Sequence, residues 1–278
     1  MQPAPLDTRV NTLKGRRDKV LAELQAEFPH AAATPYAPHG IRFRDKPALN
    51  KHPLFLDGTL EVQDEGSQLL AQLVQAKRGE IVVDFCAGAG GKTLALGAMM
   101  RGAGRLYAFD ASAHRLQGLQ PRLARSGLGN VHTAAIAHER DARLNALQGK
   151  ADAVLVDAPC SGLGTLRRAP GLKWRTRPED IARLAEQQFS IAQSAARLVK
   201  PGGRLVYATC SLLPQENEAV AQALSNALPG FAPLHAGDVL AAAKVPQAAR
   251  LTTEAGHLRL WPHLHGTDGF FAAVWQRR

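Results

Sequence analysis

Three cysteines are spread along 278 residues, and each closes an apolar run rich in β-branched side chains. The runs are IVVDFC ending at Cys86, VLVDAPC ending at Cys160 and RLVYATC ending at Cys210, and the last two are followed by serine. Short apolar runs of this kind, bounded by turn residues, read as buried strands. Each sulfur therefore stands at the C-terminal end of a strand. Small, half-buried cysteines also pack well there, but three of three in the same kind of place points to chemistry. A thiol at a strand-to-helix turn is helped by helix N-terminal N–H groups and nearby cations, which lower its pKa and make it a nucleophile.

A glycine-rich loop, CAGAGGKT, follows the first run. Gly91-Lys92-Thr93 completes the end of a phosphate-binding loop, but Cys86 stands where that motif requires its first glycine. Gly88 and Gly90 fit a dinucleotide fingerprint, but Thr93 stands where its third glycine belongs. A close backbone approach to a ligand is therefore expected without a triphosphate or pyrophosphate cradle. The next strand ends at Asp110, where an acid accepts hydrogen bonds from ribose hydroxyls. A nucleoside lacking a pyrophosphate satisfies both observations, and S-adenosylmethionine is the common one. Asp141, after the third strand, is a candidate for the adenine edge or an exposed charge.

A thiolate beside a methyl donor suits methylation of a pyrimidine at carbon 5. That carbon attacks poorly until a thiolate adds to carbon 6 and makes carbon 5 enamine-like. A base then removes the carbon 5 proton and the thiolate leaves. Asp157, three residues before Cys160, is placed either to hydrogen-bond the ring edge or to fix its turn. These considerations do not choose between Cys160 and Cys210 as the nucleophile.

The elements that must position these groups alternate from Ile81 onward. Strands are expected at IVVDFC, RLYAFD, NVHTAAI, ADAVLVDA and RLVYATC. Helices follow the glycine loop, span about Ala113–Arg125, run from Arg177 until Pro201-Gly202-Gly203, and cover Pro214–Leu228. Repeated strand–helix units imply an α/β fold, a Rossmann-like sheet flanked by helices on both faces, with ligands beyond the strand C-termini. HLRLWP and GFFAAVWQRR read as antiparallel strands at the end. Residues 1–60 read as a small N-terminal α+β subdomain with a strand in DTRVN, a helix over Lys14–Glu27 and a strand at IRFR. Residues 61–278 form the catalytic domain, opened by a helix over EGSQLLAQLVQAKRGE that Gly79 ends.

The segments VDFCAGAGGKT, AFDASAHRL, VLVDAPCSGLGTLRRAPGLKW, VYATCSLLPQENE and DGFFAAVW resemble, in order and spacing, the motif series of the Sun/Fmu family of RNA cytosine-5 methyltransferases. DTRVNTLK is similar to the family's pre-catalytic subdomain. The resemblance implies a class I methyltransferase fold and S-adenosylmethionine as cofactor. It implies a cofactor site drawn from Cys86, Ala87, Gly88, Ala89, Gly90, Gly91, Lys92, Asp110, Arg115, Asp141 and Asp157. It also implies that Cys210 is the nucleophile, that Cys160 assists release of the product, and that Lys92 lies near the reacting base with Asp157. Cys86 is expected to pack under the loop without reacting. The family loop often reads APGGKT. Here Gly88-Ala89 replaces Ala-Pro, which implies a looser loop and weaker cofactor binding. Larger members carry a separate upstream RNA-binding domain, for which this sequence shows no counterpart.

A net charge of +10 points to a polyanion partner. Arg167, Arg168, Lys173, Trp174 and Arg175 follow the PCSG turn and are expected to hold RNA, with Arg9, Lys14, Arg16, Arg17 and Lys19 extending the surface. Ribosomal or transfer RNA is the expected partner. The target base must leave its stack to reach the thiols. No cysteine pair has metal or disulfide spacing, so no metal is expected and a reducing cytoplasm is the expected compartment. There is no membrane-spanning run, and a monomer is expected. A DNA cytosine-5 methyltransferase and a non-catalytic RNA-binding or ribosome-assembly factor are the competing readings. The paired thiols favour RNA over DNA in the first case and catalysis over binding in the second.

Overall fold

The computed structural model describes residues 3–278, so the first two residues of the expected 1–60 subdomain lie outside the described residues. The N-terminal part is a four-stranded antiparallel sheet built from β1 (Leu6–Val10), β2 (Ala32–Ala33), β3 (Gly40–Phe43) and β4 (Leu60–Val62), in the order β2-β3-β1-β4. Helix α1 (Arg17–Glu27) packs Val20 and Leu24 on it, around Val10, Ile41, Phe43 and Leu60. The short helix α2 (Pro53–Leu56) precedes β4. Because β4 pairs with β1, this sheet runs two residues past the expected boundary.

Helix α3 (Glu65–Val74) then leads into the main sheet. It ends at Gln75 rather than at Gly79. Gln75 takes the left-handed conformation (φ 51°), and its side chain is anchored by Nε2 donating to the Val239 carbonyl at 2.7 Å. The main sheet continues through β5 (Ile81–Asp84), α4 (Gly91–Met99), β6 (Arg105–Asp110), α5 (Ala113–Ser126), β7 (Val131–Ala135) and β8 (Ala151–Asp157). After it come α6 (Leu172–Arg175), α7 (Pro178–Ala196), β9 (Val199–Thr209), α8 (Glu218–Ala227), β10 (Phe231–Leu234), α9 (Ala236–Ala242), β11 (Leu258–Leu260), α10 (Pro262–His265) and β12 (Phe270–Arg277).

The strand order is β7-β6-β5-β8-β9-β12-β10, with β11 also paired to β12. The first five strands are mutually parallel, and β12 runs antiparallel to β9. Alternate residues face opposite sides, as the two-residue strand period requires. Val82, Leu155 and Val206 pack with α3 and α4; Val83, Val154, Val156 and Leu205 pack with α7 and α8. The sheet is thus covered on both faces, which explains why its central strands are almost continuously apolar. From β5 the chain moves to β6 on one side, and from β8 to β9 on the other. The C-terminal ends of β5 and β8 therefore flank the topological switch point, where open α/β sheets bind ligands.

Helix α7 stops at Ala196, short of Pro201-Gly202-Gly203. Those residues sit in a bulged start of β9, where the register jumps from Ala151 opposite Val199 to Ala153 opposite Arg204. Leu198 and Val199 are buried, and the Leu198 carbonyl accepts from the Ala151 N–H at 2.8 Å, so pairing with β8 captures the chain before the turn residues do. Among the described residues no helix is long and apolar enough to cross a membrane.

Two ion-pair groups fasten the N-terminal sheet to the main one. Glu61 on β4 is buried and receives Arg122 at 3.0 Å and Arg125 at 2.8 Å, both from α5. Arg42 on β3 reaches the Glu65 carboxylate at the start of α3 at 3.2 Å, and Asp7 on β1 receives two Arg42 nitrogens and the Glu65 N–H. Glu61→Ala takes the shared carboxylate from two partly buried guanidinium groups, and is expected to lower unfolding stability by about 3 kcal/mol. Urea titration followed by circular dichroism measures this, and a loss below about 1 kcal/mol contradicts it.

Candidate active site

Strands β8 and β9 are parallel neighbours with Asp157 opposite Ala208, so the turns that follow them leave the sheet at the same edge. Cys160 and Cys210 meet there with their sulfurs 3.3 Å apart, within S–H···S hydrogen-bond distance. The approach depends on a glycine. The Gly164 N–H donates to the Cys210 carbonyl at 2.8 Å, and its carbonyl accepts from Gly269 N–H at 2.8 Å. A Cβ at residue 164 would collide with the Gly269 carbonyl and stand 2.7 Å from that of Cys210.

The sulfurs are chemically unequal. The hydrogen bond from Cys160 lowers the Cys210 pKa; burial and Asp157 oppose this, and Lys92 assists it. Cys160 is raised well above the ordinary thiol range by the same hydrogen bond, by burial and by the charge of its neighbour. The surroundings thus favour the thiolate on Cys210 over that on Cys160. Lys92, in the first turn of α4, donates to Asp157 at 2.6 Å. Burial works against its charge, but Asp157 and Cys210 together raise its pKa, so it stays a cation. The residues named as catalytic from sequence, Cys210, Cys160, Asp157 and Lys92, stand in one cluster.

The glycine loop lies at the end of β5. Gly88 (φ 55°) and Gly90 (φ 84°) are left-handed. A Cβ on Gly90 would strike Leu119, whereas a Cβ on Gly88 would meet nothing within 4 Å, which leaves open space above the loop. The Gly88 N–H donates to Asp110 at 2.8 Å, and the other Asp110 oxygen accepts from Ser112 N–H at 2.8 Å. Asp84 is fully buried and pushed up to about 7 by that burial; one oxygen accepts from Thr93 at 2.7 Å and the other has no partner. Ala87 N–H donates to the Phe109 carbonyl at 2.8 Å. The Ala89 carbonyl accepts from Arg122 at 2.6 Å, which ties the loop to Glu61 in the N-terminal sheet. Burial pushes the Cys86 thiol well up, and the side chain packs against the core on the α7 side of the sheet.

Other candidates stand differently. Both Asp141 oxygens hold backbone, accepting from Ala137 N–H at 2.9 Å and Arg143 N–H at 3.0 Å, and these bonds lower its pKa. They fix the turn after β7 as the two Asp110 bonds fix the turn after β6, and in both carboxylates each oxygen keeps a lone pair for a further donor. Arg115 lies exposed in the first turn of α5. Arg167 and Arg168 are not free cations. Arg167, with a side chain only 7% exposed, meets Asp268 at 3.3 Å; Arg168 meets Asp268 at 2.5 Å and Asp64 at 2.8 Å. They brace the loop after Cys160 against the segment leaving the N-terminal sheet (Asp64) and the one leading into β12 (Asp268), because two buried carboxylates require cations there. Lys173, Trp174 and Arg175 on α6 are exposed, Trp174 to 81%, with the Lys173 ammonium 4.9 Å from the indole centroid.

A cleft of roughly 1210 Å³ runs between the N-terminal sheet and the main domain. It is bordered by exposed Arg44 and Lys46, by Trp261, and by Leu163, Gly164 and Leu212 from the thiol-bearing loops. Neither cysteine nor the glycine loop lines it. Sequence reading misses Glu216 altogether. It assigns Pro214–Leu228 to a helix, whereas α8 starts at Glu218 and Glu216 is buried in the turn before it, bonded to both serines that follow the cysteines. The available signal is an acid-rich QENE directly after the Cys-Ser turn.

The unequal thiols give a direct test. As pH rises, Cys210 is expected to be alkylated by iodoacetamide before Cys160, with a midpoint below the free-thiol value of about 8.5. Lys92→Gln removes a cation that favours the thiolate and is expected to move that midpoint up by about one unit. Peptide mapping by mass spectrometry follows both sites, and earlier labelling of Cys160 contradicts the assignment.

A family model described as 16S rRNA methyltransferase RsmB/F matches residues 71–276, and one for the RsmF/B-like ferredoxin-like domain matches residues 1–50. A Bacillus subtilis protein described as probable ribosomal RNA small subunit methyltransferase B is 34% identical over 99% of this chain. A Pseudomonas syringae ribosomal RNA small subunit methyltransferase B is 35% identical over 97% of it. The chain spans 60% and 58% of those relatives' lengths. The crystal structure of a methyltransferase homolog protein from Pyrococcus horikoshii superposes with a TM-score of 0.82 at 30% identity, covering all of this chain and 88% of that one. Matched over most of its length by the family model and by that structure, the chain belongs to the 16S rRNA methyltransferase RsmB/F family.

Proposed function

We propose that this protein transfers a methyl group from S-adenosylmethionine to carbon 5 of a cytosine in RNA, with small-subunit ribosomal RNA as the substrate. The observation that carries this reading is the 3.3 Å pair of unequal sulfurs beside the Lys92–Asp157 ion pair. Binding alone calls for no such nucleophile.

The residues present fit the cofactor. The open space above left-handed Gly88 admits a ligand against the loop backbone, and buried Asp110 lies next to it with acceptor oxygens for ribose hydroxyls. When bound there, S-adenosylmethionine supplies an electrophilic methyl group.

The chain's own residues do the rest. Lys92 stabilises the Cys210 thiolate, whose sulfur adds to carbon 6 of the flipped cytosine and leaves an electron pair at carbon 5 to take the methyl. Asp157 holds the ring edge. A base then removes the carbon 5 proton, the ring double bond re-forms, and the Cys210 sulfur departs with the bonding pair. The Cys160 S–H, 3.3 Å away, stabilises that departing thiolate, which makes Cys210 the better leaving group. For the RNA strand, the exposed cations and indole of α6 and the cleft bordered by Arg44, Lys46 and Trp261 offer phosphate contacts and a stacking surface.

Cys210→Ala is expected to lower methyl transfer to ribosomal RNA from gene-deleted cells by about 1000-fold or more. Cys160→Ala is expected to accumulate a covalent protein–RNA adduct visible as a slower band on a denaturing gel. Transfer with Cys210→Ala at the wild-type rate, methylation of transfer RNA or DNA in preference, or an adduct absent from both variants counts against the proposal. Arg44→Glu combined with Lys46→Glu is expected to weaken RNA binding about tenfold and to flatten its salt dependence by about two phosphate contacts. Filter binding at several salt concentrations measures both, and an unchanged slope places the strand elsewhere.

A further inference from the structure

The two catalytic turns are not joined to each other by sequence, and a sulfur contact of 3.3 Å does not hold itself. Their neighbours are held by one buried carboxylate. Glu216 is fully buried, and its two oxygens accept four hydrogen bonds. Oε1 receives the Ser161 N–H at 2.8 Å and the Gln188 side-chain amide at 2.9 Å. Oε2 receives the Ser161 hydroxyl at 2.6 Å and the Ser211 hydroxyl. The two hydroxyls are also 3.1 Å from each other. Among the described residues no lysine, arginine or histidine pairs with Glu216. A carboxylate shut away from water without a cation is costly unless donors saturate it, and here the donors come from the turns that carry the thiols.

The residues before the cysteines are held by side chains adjoining that carboxylate, Gln188, Tyr207 and Asn217. The Gln188 amide donates to the Pro159 carbonyl at 2.9 Å, and Tyr207 donates to the Glu216 carbonyl at 2.5 Å. The Ser211 N–H donates to Thr209 at 3.2 Å, the Thr209 hydroxyl donates to Asn217 at 2.5 Å, and the Asn217 amide donates to the Ser211 carbonyl at 3.0 Å. Each cysteine is thus bracketed, while its own sulfur stays free to react.

We propose that Glu216 is a positioning residue: by binding Ser161 and Ser211 on one carboxylate it locks the Cys160 and Cys210 sulfurs into contact, and so permits Cys160 to act on Cys210. This goes beyond the proposed methyl transfer, on which its catalytic consequence rests. The negative charge near Cys160 works in the same direction, since it helps keep the proton on that sulfur. Glu216 is shut away from solvent, out of reach of a bound substrate or cofactor. Its replacement acts through sulfur placement, where an error of about 1 Å costs on the order of 100-fold in rate.

The test uses dibromobimane, which becomes strongly fluorescent only after both of its arms alkylate thiols, with peptide mapping to identify the Cys160–Cys210 crosslink. In Glu216→Ala the crosslinking rate is expected to fall about tenfold or more while each thiol still accepts a monofunctional reagent. The kcat on ribosomal RNA is expected to fall about 100-fold with KM for the RNA unchanged. Glu216→Gln, which keeps the acceptor oxygen towards Ser161 N–H and Gln188 and lets both hydroxyls turn, is expected to restore the crosslink to within about threefold. Glu216→Ala crosslinking at the wild-type rate overturns the proposal, as does a KM increase with unchanged kcat. Should Glu216→Ala fail to fold, Ser211→Ala removes one arm alone; a severalfold slower crosslink supports the lock, and an unchanged rate overturns it. The crosslink needs neither RNA nor cofactor. A wild-type protein that crosslinks but methylates no RNA therefore overturns the proposed activity alone, and a slower crosslink in Glu216→Ala still supports the lock.

Discussion

The hydrogen bond between two sulfurs, made possible by the parallel register of β8 and β9, is the contact on which the site depends. Had either strand slipped by one residue, its terminal side chains would have turned to the other face, and the two thiols would not meet. Once they meet in a low-dielectric crevice they titrate as a pair, and small differences decide which sulfur gives up its proton more readily. The hydrogen bond between them lowers Cys210 and raises Cys160; Lys92 adds to the first effect, and burial and nearby negative charge add to the second. Two residues of identical chemistry acquire different acidities from their surroundings alone, as coupled pairs of titrating groups do elsewhere.

Rigid surroundings keep that balance from drifting. The loop after Cys160 is pinned through Gly164 to Cys210 and Gly269, and through Arg167 and Arg168 to Asp268 and Asp64. The glycine loop is pinned through Arg122 to Glu61. The Glu61 contact ends on the N-terminal sheet and the Asp64 contact on the segment leaving it. That sheet therefore acts as a brace for the cofactor loop and the thiol-bearing loop, in addition to bordering the cleft.

Much of this was legible in the sequence because it rests on local pattern. The strands of the main sheet announce themselves as apolar runs, and Asp110 and Asp157 stand at their ends. The clustering of Cys160, Cys210, Lys92 and Asp157 follows from parallel topology. Features set by long-range partners were not legible. Strands β2 and β4 are two and three residues long and exist only because β3 and β1 pair with them. The end of α3 is decided by Gln75 reaching Val239, and the start of β9 by pairing with β8. Arg167 and Arg168 look like an RNA surface until Asp64 and Asp268, distant in sequence, arrive beside them. Glu216 looks like the start of a solvated helix, because nothing local shows that Ser161 and Gln188 will enclose it. The asymmetry of the thiols is likewise a product of tertiary neighbours, and only the family resemblance anticipated it.

The most direct measurement replaces the target cytosine with 5-fluorocytosine, whose fluorine cannot leave as a proton does, so the adduct persists after methyl transfer. Incubation of such an RNA with the protein and S-adenosylmethionine, followed by digestion and mass spectrometry, identifies the attached residue. The account predicts a methylated nucleotide joined to the peptide bearing Cys210. Attachment to Cys160, or no attachment under conditions where ordinary RNA is methylated, would contradict it.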